Sequence, residues 1–365
     1  LADFTYILLS DHRFIKEAKS EISLPSKGTT ELIIDKYTRI FTVPSKLAID
    51  GQQIFTYSLM QANTAEFSEI GSLSALISES LKPGLSFRIF LIDASSQFER
   101  NRDIEIKLGE QIESEEHPVK LDNPDCAVLL IIKDSFAIFG IAEDPESVHA
   151  ICTIFRPGQS KKDYISRSEG KLEEAIERFR IDLSTVDTCI DVGAAPGGWT
   201  DLMLRNGKRV IAIDKGELEY KRLRRYGQIA IVPEPEELDK MKKISGTIDT
   251  GITVCQGMPE QEFMLVHIKS NFGEETAKTL GRRVEMLLVD SNTHYTESIK
   301  CALALADSVK AGGLLVLTLK INNHKPTQAI DYAASELSAS YGDIAIKKLV
   351  KDRRELTLFA KKISP

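Results

Sequence analysis

The sequence predicts an α/β fold for its C-terminal half, a doubly wound and mainly parallel sheet, preceded by two smaller α+β regions. Three observations predict it. Apolar runs of strand length recur at Thr188–Val192, Arg209–Ile213, 229–232, 286–289 and 314–319, with helical or loop stretches between them. The first of these breaks into Gly193-Ala194-Ala195-Pro196-Gly197-Gly198 before a helical period opens at Trp199, the order of a strand, a glycine turn and a helix. Several of the runs end in a charged residue, Asp214, Asp290 or Lys320, where the carboxyl ends of parallel strands collect ligands.

The elements follow in chain order. The run 4–9 predicts a strand and the amphipathic stretch 13–22 a helix, followed by strands at 31–34, 39–43 and 53–59. A helix over 72–80 leads to Lys82-Pro83-Gly84, a turn that suggests the end of a first region, 1–84. A second region, 85–150, holds a strand at 86–93, a helix at 102–111, an extended segment at 119–121 and a hairpin of 126–132 with 136–142. Pro157-Gly158 reads as a linker into a helix that begins around 164–175. The third region, 151–365, carries the alternating pattern and closes with strands at 344–349 and 356–360, while 238–283 reads as an insertion.

Composition narrows the class. With 365 residues, 42% hydrophobic and 28% charged, the chain can bury two or three ordinary globular cores. No apolar run reaches the roughly 18 residues needed to span a bilayer, and no signal-type leader is visible, so the expectation is a cytoplasmic protein without a membrane partner. Five cysteines without a C-x-x-C pair indicate neither a zinc site nor a disulfide framework, and no metal role is expected. A net charge of −7 is awkward for binding nucleic acid, but basic clusters stand at Lys161-Lys162, Lys221 to Arg225, Lys347-Lys348 and Arg353-Arg354.

A strand, a glycine turn and an acid about twenty residues on form a nucleoside-binding half-site, in which Asp214 accepts bonds from ribose hydroxyls. The spacing is not the G-x-G-x-x-G of a nicotinamide dehydrogenase, because a proline interrupts it and the glycine that approaches pyrophosphate is missing. The stretch D-V-G-A-A-P-G-G-W resembles motif I of class I S-adenosylmethionine methyltransferases, and specifically that of the FtsJ-like RNA 2′-O-methyltransferases. The resemblance implies a Rossmann-like class I methyltransferase domain with S-adenosylmethionine as cofactor. It places Ser168, Gly193, Ala194, Ala195, Pro196, Gly197, Gly198, Trp199, Asp214, Glu234 and Asp290 at the cofactor. "SRS" at 166–168 and "KLEEA" at 171–175 are similar to the segment that carries the family's first catalytic lysine, and Lys171, Asp290, Lys320 and Glu355 fall in the order of its K-D-K-E tetrad.

The chemistry of such a tetrad is plain. A ribose hydroxyl is a weak nucleophile until a base takes its proton, and a lysine can serve if its pKa is depressed, here by desolvation and by the second cation, Lys171. Lys320 is the expected base, Asp290 its orienting partner, and Glu355 the holder of Lys171 or of the hydroxyl. A base N-methyltransferase would carry an N/D-P-P-Y/F loop, whereas this chain reads Asp290-Ser291-Asn292-Thr293. His294 and His324, near the motifs, read as loop hydrogen-bonding residues. The run helix, "VKLDNPD", strand, strand resembles the end of a THUMP domain, an RNA-binding module, which makes 85–150 THUMP-like. The three-part layout implies RNA as partner, large-subunit rRNA first and tRNA as the alternative. A non-catalytic RNA-binding or assembly protein is the other reading, because Gly170 stands where the family has a bulkier residue.

Overall fold

The computed structural model describes residues 3–47, 53–94, 102–114, 116–133, 135–155, 163–233, 252–255, 258–259, 263–272, 280, 284–321 and 325–364. The chain divides into two compact units, 1–159 and 160–365.

The first unit is one seven-stranded sheet with helices. Its strands are β1 (Phe4–Ser10), β2 (Thr30–Ile33), β3 (Thr38–Val43), β4 (Thr56–Glu66), β5 (Phe87–Asp93), β6 (Cys126–Lys133) and β7 (Phe136–Ala142), in the order β2-β3-β1-β4-β7-β6-β5. Its helices are α1 (Ile15–Glu21), α2 (Ile70–Ser80), α3 (Arg102–Ile112) and α4 (Pro145–Phe155). Leu73 and Ile77 of α2 and Leu108 and Ile112 of α3 bury their stripe against Ile89, Leu91, Val128 and Leu130 of the sheet.

The boundary expected at 84 falls inside this sheet. β4 pairs antiparallel with β7, from Ala62↔Gly140 to Glu66↔Phe136, so strands from both expected regions share one ladder and Pro83-Gly84 is only a turn within it. The boundary at 150 is crossed by α4, a helix the sequence reading passed over between two prolines. Residues 119–121 form no strand; Val119 makes a single bridge to Phe87. β4 begins at Thr56 rather than 53, and the Glu21 carboxylate caps its start by accepting the N–H groups of Ile54, Phe55 and Thr56 at 2.8, 2.9 and 2.9 Å.

The second unit is a nine-stranded sheet in the order β11-β10-β12-β9-β8-β13-β14-β16-β15. The strands are β8 (Thr188–Val192), β9 (Arg209–Ile213), β10 (Ile229–Pro233), β11 (Ile252–Val254), β12 (Leu265–Lys269), β13 (Val284–Val289), β14 (Val309–Lys320), β15 (Tyr341–Lys347) and β16 (Glu355–Lys362). Pairings from β11 to β14 are parallel, and only β16 runs antiparallel to its neighbours β14 and β15. Among the described residues the helices are α5 (Ser168–Arg178), α6 (Gly198–Arg205), α7 (Tyr220–Leu223), α8 (Tyr295–Ala304) and α9 (Pro326–Leu337). Trp199, Leu202 and Met203 of α6 and Leu172 and Ala175 of α5 share a core with Cys189, Val210, Met286 and Val316 of the sheet.

The expected insertion 238–283 is not mere decoration. β12 comes from within it and lies between β9 and β10, in parallel register with both, so the strand beside β9 is 265–269 rather than 229–233. A histidine at its centre disguised it. His267 is fully buried, and its ring bonds the Tyr220 hydroxyl at 2.6 Å and the Asp214 carbonyl at 2.9 Å. Burial lowers its pKa, which keeps the ring neutral and suits it to the sheet interior. The rest of 238–283 lies largely outside the described residues.

Candidate functional site

Three adjacent strands bring their ends to one edge of the second sheet. β13 and β14 are parallel and finish there, followed by Asp290 and ending in Lys320, while β16 starts there with Glu355, the register partner of Lys320. The fourth group arrives from α5, where Lys171 lies on a buried face with Glu174 and Arg178, at helical spacing.

The four side chains close a ring of alternating charge. Lys171 Nζ pairs with Glu355 Oε1 and stands 3.7 Å from Asp290 Oδ2. Lys320 Nζ donates to Glu355 Oε2 at 2.5 Å and stands 3.3 Å from Asp290 Oδ1. All are largely buried, from 7% side-chain exposure at Glu355 to 15% at Lys320. Two cations and two anions removed from water in this way compensate one another, and loss of one member would leave a buried charge unpaired.

One expectation is reversed here. Burial by itself disfavours the Lys320 ammonium, but the Asp290 and Glu355 carboxylates outweigh it and the net shift is upward. The depressed lysine expected from a neighbouring cation does not arise, because both lysines bridge the same two acids. Glu355 shows the converse: burial pushes its carboxyl up, and the Lys171 and Lys320 ammonium groups more than reverse this and hold it at about 2.

Next to the ring, and sharing Asp290 with it, lies a cleft of about 670 Å³. Gly193 and Ala195 of the loop, Asp214, and Ser270, Asn271 and Phe272 after β12 contribute to its walls, with Asn292, Thr293 and Lys300 from the segment after β13. Asp214 Oδ2 accepts the Ala195 N–H at 3.0 Å and Oδ1 the Gly216 N–H at 2.7 Å, which fixes the carboxylate at the end of β9. Asp191 is fully buried, and its Oδ1 has no hydrogen-bond partner while Oδ2 accepts the Thr200 hydroxyl at 2.7 Å. Asp214 and Asp290 thus stand at the ends of β9 and β13, on either side of β8, and put two carboxylates on the cleft wall, which suits a cationic nucleoside such as S-adenosylmethionine. The cleft volume and the fixed Asp214 carboxylate fit the same group.

Of the described residues expected at the cofactor, Gly193, Ala195, Asp214 and Asp290 line the cleft, and Ser168, Ala194, Pro196, Gly197, Gly198 and Trp199 do not. Ala194 and Trp199 are buried in the core, and the Trp199 indole donates to the Ser168 carbonyl at 2.7 Å. The Ser168 hydroxyl bonds Ser166 at 2.6 Å. Pro196 is exposed, and Gly197 and Gly198 cap and open α6. The glycines serve chain packing more than ligand approach. A Cβ on Gly193 would lie 2.8 Å from the Asp290 carbonyl oxygen, and one on Gly198 would lie 2.2 Å from Ser166 Oγ. Glu234 and His324 lie outside the described residues. His294 caps α8, accepting the Thr296 N–H at 3.4 Å, as its loop position suggested. Ser270, Asn271, Phe272, Asn292, Thr293 and Lys300 were not expected on the cleft wall, since no motif or periodic signal marks them. Among the described residues no group of three or more His, Cys, Asp and Glu could hold a metal, and no helix is long and apolar enough to cross a membrane.

Comparison with known proteins gives the following likenesses. Residues 164–324 match the family model described as FtsJ-like methyltransferase. A Methanocaldococcus jannaschii protein designated MJ1257 is 25% identical over 203 residues, 54% of this chain and 47% of that protein. Ribosomal RNA large subunit methyltransferase M of Shewanella sp. (strain ANA-3) is 26% identical over 203 residues, 53% of this chain and 55% of that protein. The chain spans about half the length of these two relatives. Among solved structures, TrmN from Thermus thermophilus is similar at 13% identity and a TM-score of 0.34, covering 98% of this chain and all of that one.

Proposed function

From the match of residues 164–324 to the FtsJ-like methyltransferase family model, we propose that the protein transfers a methyl group from S-adenosylmethionine to a ribose 2′-hydroxyl of RNA, with large-subunit rRNA as its substrate. The observation that carries the reading is the ring of Lys171, Asp290, Lys320 and Glu355, which shares Asp290 with a cleft of nucleoside size. The Shewanella relative, a large-subunit rRNA methyltransferase by name, supports the choice of RNA.

S-adenosylmethionine held by Gly193, Ala195, Asp214 and Asp290 would supply an electrophilic methyl carried on a sulfonium. The residues of the chain then have to hold the hydroxyl and remove its proton. Asp290 and Glu355 hold Lys320 as an ammonium despite the second cation, Lys171, and a further positive charge brought into the cleft works against them. Lys320 can therefore give up its proton to solvent in the loaded site, after which the neutral Nζ takes the proton of the hydroxyl. Lys171, paired with Glu355, keeps that carboxylate ionised and out of competition for the proton.

Labelled-methyl transfer tests the reading, using an rRNA fragment and a DNA oligonucleotide of the same sequence. Transfer is expected to the RNA alone. Lys320→Arg keeps the charge but cannot release it, so its rate should fall by about 10²–10⁴-fold. Equal transfer to DNA overturns the hydroxyl target, and a fully active Lys320→Arg overturns the base.

A further inference from the structure

Gly170 precedes Lys171 on α5, and the room a side chain would occupy there is filled by another lysine. A Cβ on Gly170 would lie 3.1 Å from Lys351 Cδ and 3.2 Å from its Nζ. Lys351 belongs to the turn 348–354, which joins β15 to β16 and runs directly into Glu355.

Buried polar groups outside the ring fix this turn. Glu174, one helical turn beyond Lys171, accepts the N–H groups of Val350 at 2.7 Å and Lys351 at 2.9 Å. Lys348, fully buried, donates to the carbonyls of Leu349 at 2.8 Å and Asp352 at 2.6 Å. Asp352 Oδ2 accepts the Leu349 N–H at 3.2 Å and the Thr357 hydroxyl at 3.0 Å. On the other side, the Arg354 carbonyl accepts the N–H of Ile321, the residue after Lys320, at 3.0 Å. The backbone is thus tied to the elements that carry both lysines of the ring.

The outward side chains are a different matter. Lys351, Arg353 and Arg354 are exposed, and none makes an ion pair with an acid among the described residues. Three exposed cations held together on a fixed turn beside the reacting groups make a favourable seat for an anion that arrives from outside. The ring itself is only 8–15% exposed at its lysines, so a ribose that reaches it must be splayed out of a single-stranded segment. A phosphate lies on either side of such a ribose.

We propose that the turn 348–354 is a phosphate clamp, in which Lys351, Arg353 and Arg354 take the phosphodiesters of single-stranded RNA that flank the ribose presented to Lys320. The proposal rests on the RNA reading above. The rigid backbone sets the register of the strand on the ring, and Gly170 leaves Lys351 the space it needs.

The test measures kcat and KM for an rRNA fragment between about 50 and 200 mM salt, for the wild type, Lys351→Gln, Arg353→Gln, Arg354→Gln and the triple variant. Thermal stabilisation by S-adenosylmethionine serves as the check that each is folded. KM should rise about tenfold or more in the triple variant, and the slope of log KM against log salt should flatten by about 0.7 per charge removed. kcat should hold. Gly170→Ala, which displaces Lys351, should raise KM in the same direction, whereas Lys310→Gln at the far end of β14 should not. An unchanged KM and salt slope in the triple variant overturns the clamp, and so does a loss confined to kcat. A wild type that methylates no RNA overturns the proposed function with it, which separates the two failures.

Discussion

A lysine beside a second lysine is ordinarily the easier one to deprotonate, yet Lys320 is shifted the other way, because the nearest charges are the two carboxylates and not Lys171. The sign of a pKa shift thus depends on which group sits within a few ångströms, and no spacing along the chain reveals that. Asp191 gives the clearest measurable case. Burial, against the opposing Thr200 hydroxyl bond and with help from Asp290 and Asp214, raises its carboxyl to about 7. A carboxyl whose folded pKa lies above its unfolded value binds its proton more tightly when folded. The stability this contributes is complete below the unfolded value of 3.8 and is lost as pH rises through about 7. Asp191→Asn should therefore gain melting temperature relative to the wild type between pH 4 and 8, and a constant difference across that range would refute the assignment. Glu355 works oppositely, since its pKa of about 2 gives stability above the usual 4.5 that disappears as pH falls toward 2.

At the scale of elements, the turn after β8 does more to bring two strand ends together than to receive a ligand. Gly193 has φ +79° and no room for a Cβ against the backbone of Asp290 and Ser291, whereas Gly207 has φ +74° and open space. Gly207→Ala should cost about 1 kcal/mol from backbone strain. Gly193→Ala should cost clearly more and should also weaken S-adenosylmethionine binding, because Asp290 has to move. Urea unfolding and cofactor titration of the two variants measure the difference, and equal losses would show that Gly193 is needed only for its φ. The element reading from sequence held where apolar runs were clean, as at β8, β9 and β13. It failed at β12, where His267 sits in mid-strand, and left α4 and α9 unassigned, each of which opens on a proline that suits a first helical turn.

At the scale of the whole chain, each unit has its own sheet and core, and every residue assigned to the ring, the cleft and the clamp lies in 160–365. A fragment 160–365 should fold and keep the thermal stabilisation that S-adenosylmethionine gives the full chain, about 2.7 kcal/mol at a hundredfold excess over Kd. A fragment that melts without cooperativity, or that the cofactor leaves unshifted, would show that the first unit completes the fold of the second.

The sequence by itself determined the alternation of strands and helices in the second unit, the glycine turn, and the identity and order of Lys171, Asp290, Lys320 and Glu355, because periodicity and local motifs are carried by neighbouring residues. Only the tertiary structure decided the rest. The place of β12 in the sheet, the union of two expected regions in one ladder, the protonation preference of Lys320 and the filling of the space over Gly170 by Lys351 all depend on residues distant in sequence that meet when the sheet assembles. Strand pairing and short-range electrostatics act through space, and a linear pattern holds no record of which partner arrives.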